Sequence, residues 1–386
     1  MKIEDIKKLE PYVVEQRRYL HEHPELSWHE FDTSKHVREE LDKMGIPYEI
    51  VEKVGVVGII NGSKSGKSIG IRADMDALPI TENTGLEFSS KNAGVMHACG
   101  HDMHTAVLLG TAKVLNEMKD ELKGKVVLIF QPSEEKLEKL GASVMKEHPE
   151  VKALDRVIGL HVMPSLKAGQ AALRVGPVMA ATDMFDIFIE GKGGHGAMPH
   201  MTVDPIIAGV QLINAFQTIV SREIDPLKAT VLSITAFNAG SSQNVIPSEA
   251  HLKGTARTFD NDMKDKIIEM MQRIADGVAE ATRTKIRIEN QKGPYATVND
   301  EKATLMGIEV AKEVFGNGLV FDHPPIMPGE DFSEYLRQTP GVFMFLGVSN
   351  VANEFALHQD NFSPREDAMI LAVEYFVKYA KKFLEE

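Results

Sequence analysis

The sequence predicts an α/β fold: a larger domain with a mostly parallel central sheet flanked by helices, carrying a smaller inserted domain of ferredoxin-like βαββαβ order. Three observations predict it. At 386 residues the chain exceeds the usual size of one hydrophobic core, so two domains are expected. Up to about residue 177, and again from about Val298, strand-like apolar runs alternate with helical patterns. Between these stretches the pattern changes to strand, helix, two strands, helix, strand.

From the N-terminus, Ile3 to Tyr19 has helical apolar spacing and ends before Pro24. A second amphipathic helix runs through Val37, Leu41 and Met44, with Gly45 as its stop. Strands are expected at Val56–Ile60, Ile69–Arg72, Val126–Phe130 and Val157–Leu160, and a helix at Met103–Met118. The inserted stretch opens with a strand at Phe185–Glu190. Asp204 and Pro205 form a cap and a first-turn proline for a helix from Ile206 to Val220. Thr230–Phe237 and Glu249–Phe259 follow as strands, Asp262–Ala281 as a helix and Lys285–Glu289 as a last strand. A helix at Glu301–Val314, a strand at Val342–Leu346 and a C-terminal helix at Asp367–Leu384 complete the larger domain. The boundaries expected are 1–181 with 292–386 for that domain, and 182–291 for the insertion.

Hydrophobic content of 43% and charged content of 26% are those of an ordinary globular protein. The net charge of −13 argues against nucleic acid or an anionic membrane surface as partner. The N-terminal MKIEDIKKLE has no apolar signal-peptide core, and no apolar run is long enough to span a bilayer. With Cys99 as the only cysteine, no intramolecular disulfide can form, which fits a reducing compartment and a cytoplasmic location.

Potential metal-binding side chains gather where the apolar runs end, the edge at which open α/β sheets build their sites. Asp74 and Asp76 follow the Ile69 run, Glu134 and Glu135 follow the Val126 run, and His161 ends the Val157 run. Cys99 and His101 sit in the turn His97-Ala98-Cys99-Gly100-His101-Asp102 that opens the Met103 helix, and His358 comes from near the C-terminus. A set of thiolate, imidazole and carboxylate suits borderline ions such as Zn, Mn, Co or Ni better than Mg or Ca. Cys99, His101, Glu135, His161 and His358 exceed what one catalytic ion needs beside a water, which points to two divalent ions sharing a ligand. Taken singly, His161 reads as a satisfied structural histidine and Glu134-Glu135 as a solvated turn. The His97–Asp102 segment is the stronger signal, because it packs several ligand types into one strand-turn-helix junction.

These residues stand in motifs that resemble the M20 family of metallopeptidases and amidohydrolases, in its aminoacylase, hippurate hydrolase and auxin-conjugate hydrolase branch. The motifs are RRYLHEHPELSWHE (17–30), GIRADMDALPI (70–80), MHACGHDMH (96–104), FQPSEE (130–135), GLHV (159–162), GGHGAMPH (193–200), QNVIPSEAHLKGTAR (243–257), GEDF (329–332) and LHQDNF (357–362). The resemblance implies that Cys99, His101, Glu135, His161 and His358 hold two divalent ions, with Cys99 as the bridging thiolate and Glu134 as the general base. It implies that Asp76 orients a ligand imidazole; Asp102 either does the same or caps its helix. In the inserted domain it implies an oxyanion role for His195, in cis or across a dimer, and a carboxylate grip for Asn244 and Arg257. On the residues alone, Arg257 reads as a strand residue in a surface salt bridge. One departure stands out. Relatives continue the Glu-Glu pair with a short glycine-rich run, whereas this chain has the longer, charged Lys136-Leu137-Glu138-Lys139-Leu140 before Gly141-Ala142.

The activity so implied is hydrolysis of a small N-acyl amino acid, of N-acetyl or N-benzoyl type, to a carboxylate and a free amino acid. Two divalent ions outweigh the charges of the Cys99 thiolate and the Glu135 carboxylate, so an anionic amide suits the site despite the acidic chain. A dipeptidase or carboxypeptidase on the same scaffold is the nearest alternative, and a non-catalytic metal-binding protein a more distant one. The resemblance also implies a homodimer built through the inserted domain, whose role would be lid or dimerisation surface.

Overall fold

The computed structural model describes residues 3–351 and 354–386. Contacts divide the chain into two compact units, one of Met1–Val178, Val298–Pro324 and Asp331–Glu386, the other of Met179–Thr297 and Pro325–Glu330.

The first unit is built on an eight-stranded sheet. Its centre is four parallel strands in the order Lys123–Gln131, Lys64–Asp74, Arg156–Lys167, Gly341–Ser349. These are near-continuous apolar runs, as expected of strands covered on both faces. Antiparallel strands flank this centre: Gly55–Asn61 then Tyr48–Val51 on one side, Ala171–Ala172 on the other, beyond which Val320–Phe321 runs parallel to Ala171–Ala172. Tyr48–Val51 is absent from the sequence expectation because it is an edge strand with little burial and hence no apolar alternation. The core closes with the helices Glu10–Glu22, Phe31–Met44, His101–Glu117, Glu301–Phe315 and Met369–Glu385.

The expected Ile3–Tyr19 helix is two pieces: a 3-10 stretch Ile3–Leu9, then an α-helix from Glu10. Pro11 explains the division, since proline is accommodated in the first turn of a helix and not in its interior. Gly45 ends the next helix with φ +67°, as the sequence suggests. The Met103 helix begins earlier than expected, at His101, with Gly100 as its N-cap. The Val157 strand extends to Lys167, so His161 lies within it and not at its end. Its pairing with Lys64–Asp74 stops at Gly159, however, so His161 lies just past the end of that neighbour's ladder.

The second unit carries a four-stranded antiparallel sheet in the order Thr230–Ala239, Glu249–Thr258, Ala181–Glu190, Lys285–Lys292. Helices Pro205–Thr218 and Asn261–Thr282 connect the strands in the expected βαββαβ order. Asp204 and Asp260 cap these helices by accepting first-turn N–H groups. Their apolar faces meet Phe185, Ile187, Ile189, Leu232 and Leu252 in a separate core. Pro325–Glu330 also falls in this unit, outside the 182–291 span read from the sequence; Ala180 N–H donates to Ile326 O and Pro328 O there, at 3.1 Å each.

Candidate metal centre

Gly100 sets the local geometry of the His97–Asp102 turn. Its φ is +87°, and a Cβ there would lie 2.4 Å from Val162 Cγ2, so only glycine allows the turn to approach the His161 strand so closely. Cys99 is left buried just before the helix and His101 becomes its first residue.

Cys99 Sγ lies 3.3 Å from His161 Nε2 and 3.3 Å from His358 Nε2. His358 Nε2 is 3.1 Å from Glu135 Oε1. Among the described residues five groups of donor atoms could hold an ion, and three of them draw on the expected ligands and Glu134 alone: Cys99, His101 and His161; Cys99, Glu135 and His358; and His101, Glu134 and Glu135. The five side chains named as ligands from the sequence are thus together in the first unit, with Cys99 common to two of the groups. His358 is brought in by a backbone hydrogen bond from its own N–H to Ala98 O (2.9 Å), and it holds φ +61°.

Asp76 organises this cluster. It takes the His101 Nδ1 proton on its carbonyl oxygen (2.9 Å) and on Oδ1 (3.2 Å). Oδ1 also accepts Glu134 N–H (3.1 Å), while Oδ2 accepts Glu135 N–H (3.0 Å) and Ser27 Oγ–H (2.7 Å). One carboxylate therefore orients an imidazole and fixes the backbone of both glutamates. Burial opposes its charge, but these donors outweigh burial and hold its pKa below the usual carboxylate value.

The donors fit a cation. His101 Nε2 is buried with no hydrogen-bond partner, while its Nδ1 is committed to Asp76, which leaves an available lone pair on Nε2. Burial alone would lower the His101 pKa; the surrounding carboxylates, Asp74 foremost, push it up to about 10. Burial, then Glu135, Glu134 and Asp74, push the Cys99 thiol well above its normal range. Both shifts report excess negative potential, which a divalent ion would neutralise while favouring the thiolate. His161 is held neutral, the ligating form, by burial and then by neighbouring His104.

Asp102 does neither task considered for it. It caps no helix and touches no candidate ligand ring; it is buried and receives Arg17 Nε–H (3.0 Å) and His21 Nδ1 (2.8 Å). His97 belongs to none of the ligand groups; both its ring nitrogens are buried without a hydrogen-bond partner, and burial lowers its pKa to about 4.

Several supporting residues are not singled out by the sequence reading. Asp74 accepts from Arg72 Nη1 (2.6 Å) and from His104 Nδ1 (2.6 Å). His104 Nε2 in turn accepts Val162 N–H at 3.0 Å, tying the helix start to the strand beside His161. Glu30 is wholly buried and accepts Ser133 N–H at 2.8 Å; burial, then the charge of Asp76, push its carboxyl up to about 8. Ser27, Glu30, Arg72 and His104 all stand inside the motifs quoted above, but except for the Arg72–Asp74 pair these partners lie far away in sequence.

The remaining site residues lie in the second unit. His195 sits in a two-residue strand, Gly194–His195, paired with Val245–Ile246, which places Asn244 one residue from its partner. His195 Nδ1 accepts Ala197 N–H (3.0 Å), leaving Nε2 as the protonated nitrogen on an exposed ring. Gly196 N–H donates to Asn244 O at 2.8 Å. Arg257 is half-buried on the Glu249–Thr258 strand and donates to Asp183 O, Ala256 O and Thr255 Oγ1. No carboxylate pairs with Arg257 among the described residues, so the salt-bridge reading does not hold; Lys264 takes the Asp183 carboxylate instead.

Residues 70–382 match the family described as peptidase family M20/M25/M40. The chain belongs to that family. It is 41% identical to an N-acetyl-L-cysteine deacetylase of Bacillus subtilis, over 99% of this chain and 90% of the relative. Identity is also 41% to thermostable carboxypeptidase 1 of Saccharolobus solfataricus, over 98% of this chain and 97% of the other. A Bacillus subtilis crystal structure described as a dinuclear metal-binding peptidase of the M20 family superposes with a TM-score of 0.85 at 37% identity, covering 98% of this chain and 99% of that one. The family assignment makes this M20 chain a hydrolase. Among its described residues no helix is long and apolar enough to cross a membrane.

Proposed function

We propose that the chain is a dinuclear amidohydrolase that cleaves small N-acyl amino acids, of N-acetyl or N-benzoyl type, to a carboxylate and a free amino acid. The observation that carries the reading is the pair of donor groups sharing Cys99, set beside Glu134. In this reading Cys99, His101, Glu135, His161 and His358 would hold two ions, of Zn, Mn, Co or Ni type, with Cys99 common to two of the donor groups. Bound there, the ions would supply an acidified water and a positive field for the acyl oxygen.

The chain's own groups do the rest. Glu134, its backbone held by Asp76, takes the water's proton and passes it to the departing amine. His195 donates its Nε2 proton to the oxyanion of the tetrahedral intermediate. Arg257, with no carboxylate of its own, holds the substrate carboxylate together with Asn244. A homodimer is supported by the Thr230–Ala239 edge strand and by exposed Ile207 and Val210 on the neighbouring helix. The lone cysteine supports a cytoplasmic location.

The likeness to a carboxypeptidase favours one second reading, hydrolysis of short peptides. Assay of N-acetyl and N-benzoyl amino acids beside dipeptides separates the two, and turnover of dipeptides alone would sink the acylase reading. Glu134→Gln is expected to retain about two ions per chain by elemental analysis while kcat falls about 10³-fold or more. Near-normal turnover would remove Glu134 from its role.

A further inference from the structure

The charged loop after Glu134-Glu135, Lys136 to Leu140, is held by a small set of contacts. Gly141 N–H donates to Ser133 O (2.8 Å), closing the loop on itself. Gly141 is required there, because a Cβ would lie 1.6 Å from Pro132 O. Inside the loop, Lys139 O accepts two hydrogen bonds. One comes from Ser133 Oγ (3.1 Å), the other from the indole Nε1 of Trp28 (2.7 Å). The Lys139 ammonium lies over the Trp28 ring, 4.2 Å from its centroid, and pairs with Glu52 at 3.2 Å.

Both ends of this clamp are strained. Trp28 has φ +65° and Ser133 φ +52°, a region non-glycine residues rarely occupy and keep only when their surroundings impose it. Each flanks a site residue. Ser27 donates to the Asp76 carboxylate, and Ser133 directly precedes Glu134. Buried Glu30, two residues after Trp28, accepts Ser133 N–H.

We propose that Trp28 and Lys139 form a clamp that positions Glu134 by pinning the 136–140 loop against Ser133, so that this loop governs turnover more than substrate binding. Asp76 holds the glutamate backbone from one side, and the clamp holds the chain on either side of it. A loop of this length and charge has no glycine run to keep it compact, so an outside anchor is needed. The proposal rests on the general-base role given to Glu134 above.

Trp28→Phe keeps the ring under Lys139 and removes only the N–H donor; Lys139→Met keeps the backbone acceptor and removes the cation. For Trp28→Phe we expect kcat to fall about tenfold with KM within about twofold and bound metal unchanged, since sub-ångström displacement of a catalytic group is enough for such a loss. Lys139→Met should cost about twofold in kcat. Independently of activity, limited trypsin digestion of metal-free Trp28→Phe should cut after Lys136 or Lys139 about fivefold faster than in the parent chain. Unchanged cleavage, unchanged kcat, or loss of metal along with turnover would each overturn the clamp. If the parent chain hydrolyses no amide or peptide, the reading of its function fails instead, and the cleavage rates alone decide the clamp.

Discussion

Cys99 carries two demands that conflict in the free chain. It must be buried to sit among His161, His358 and Glu135, and burial beside carboxylates opposes the thiolate that a metal needs. A cation in each of the two groups that contain Cys99 would resolve the conflict. Cys99→Ala is therefore expected to lower metal content and turnover together, with far-ultraviolet circular dichroism unchanged because the side chain removed is small. Retention of about two ions per chain would show that neither group depends on the thiolate. The His97–Asp102 turn was legible from residue type alone, a histidine and a cysteine beside a turn glycine, whereas Glu134-Glu135 read singly as a solvated turn and took its roles from the motif resemblance. The supports were not. Ser27 and Glu30 are ordinary polar residues until folding places them against Asp76 and Ser133 across long sequence separations.

Between elements, helix Glu10–Glu22 is tied to helix His101–Glu117 by a buried polar chain and not only by apolar contact. Arg17 and His21 meet Asp102, and His21 Nε2 continues to Glu82 at 3.2 Å. Burial opposes the Glu82 charge, but hydrogen bonds from His21, Thr84 and Ser90 N–H outweigh it and hold its pKa at about 2, against 4.5 ordinarily. A carboxyl whose folded pKa is depressed binds fewer protons folded than unfolded. Its stabilisation is complete above pH 4.5 and is lost as pH falls towards 2. Glu82→Gln should remove about 1–2 kcal/mol of this acid dependence, seen in denaturant midpoints measured from pH 5 to pH 2. Equal pH slopes in the two proteins would contradict the assignment. Long periodic elements were readable from the sequence because burial on one face leaves a pattern. The exposed edge strand Tyr48–Val51 leaves none, and the π-helical turn Ile219–Glu223 simply continues the helical spacing before it. The Val157 strand outran its expected end because His161, and then Pro164-Ser165, break the apolar run while the backbone continues its ladder with the Gly341–Ser349 strand as far as Lys167.

At the scale of the whole molecule, each unit owns a core: Val56, Ile71, Leu128 and Phe376 belong to one, Phe185, Leu212, Leu252 and Ile267 to the other. The candidate ligands all lie in the first unit, whereas His195, Asn244 and Arg257 lie in the second. An ion that binds only the folded first unit stabilises that unit by mass action, by about 2.7 kcal/mol at a hundredfold excess over its dissociation constant. The second unit gains nothing directly. For a unit of this size such a change moves a thermal midpoint by roughly 5–10 °C. Trp28, the only tryptophan, lies in the first unit, so its fluorescence follows that unit alone. Chelation should therefore lower the fluorescence midpoint by roughly that amount. A second calorimetric transition, belonging to the other unit, should stay within about 2 °C. A single transition that moves as a whole, seen equally by fluorescence and calorimetry, would mean that the units unfold together and that metal at the Cys99 cluster stabilises the entire chain.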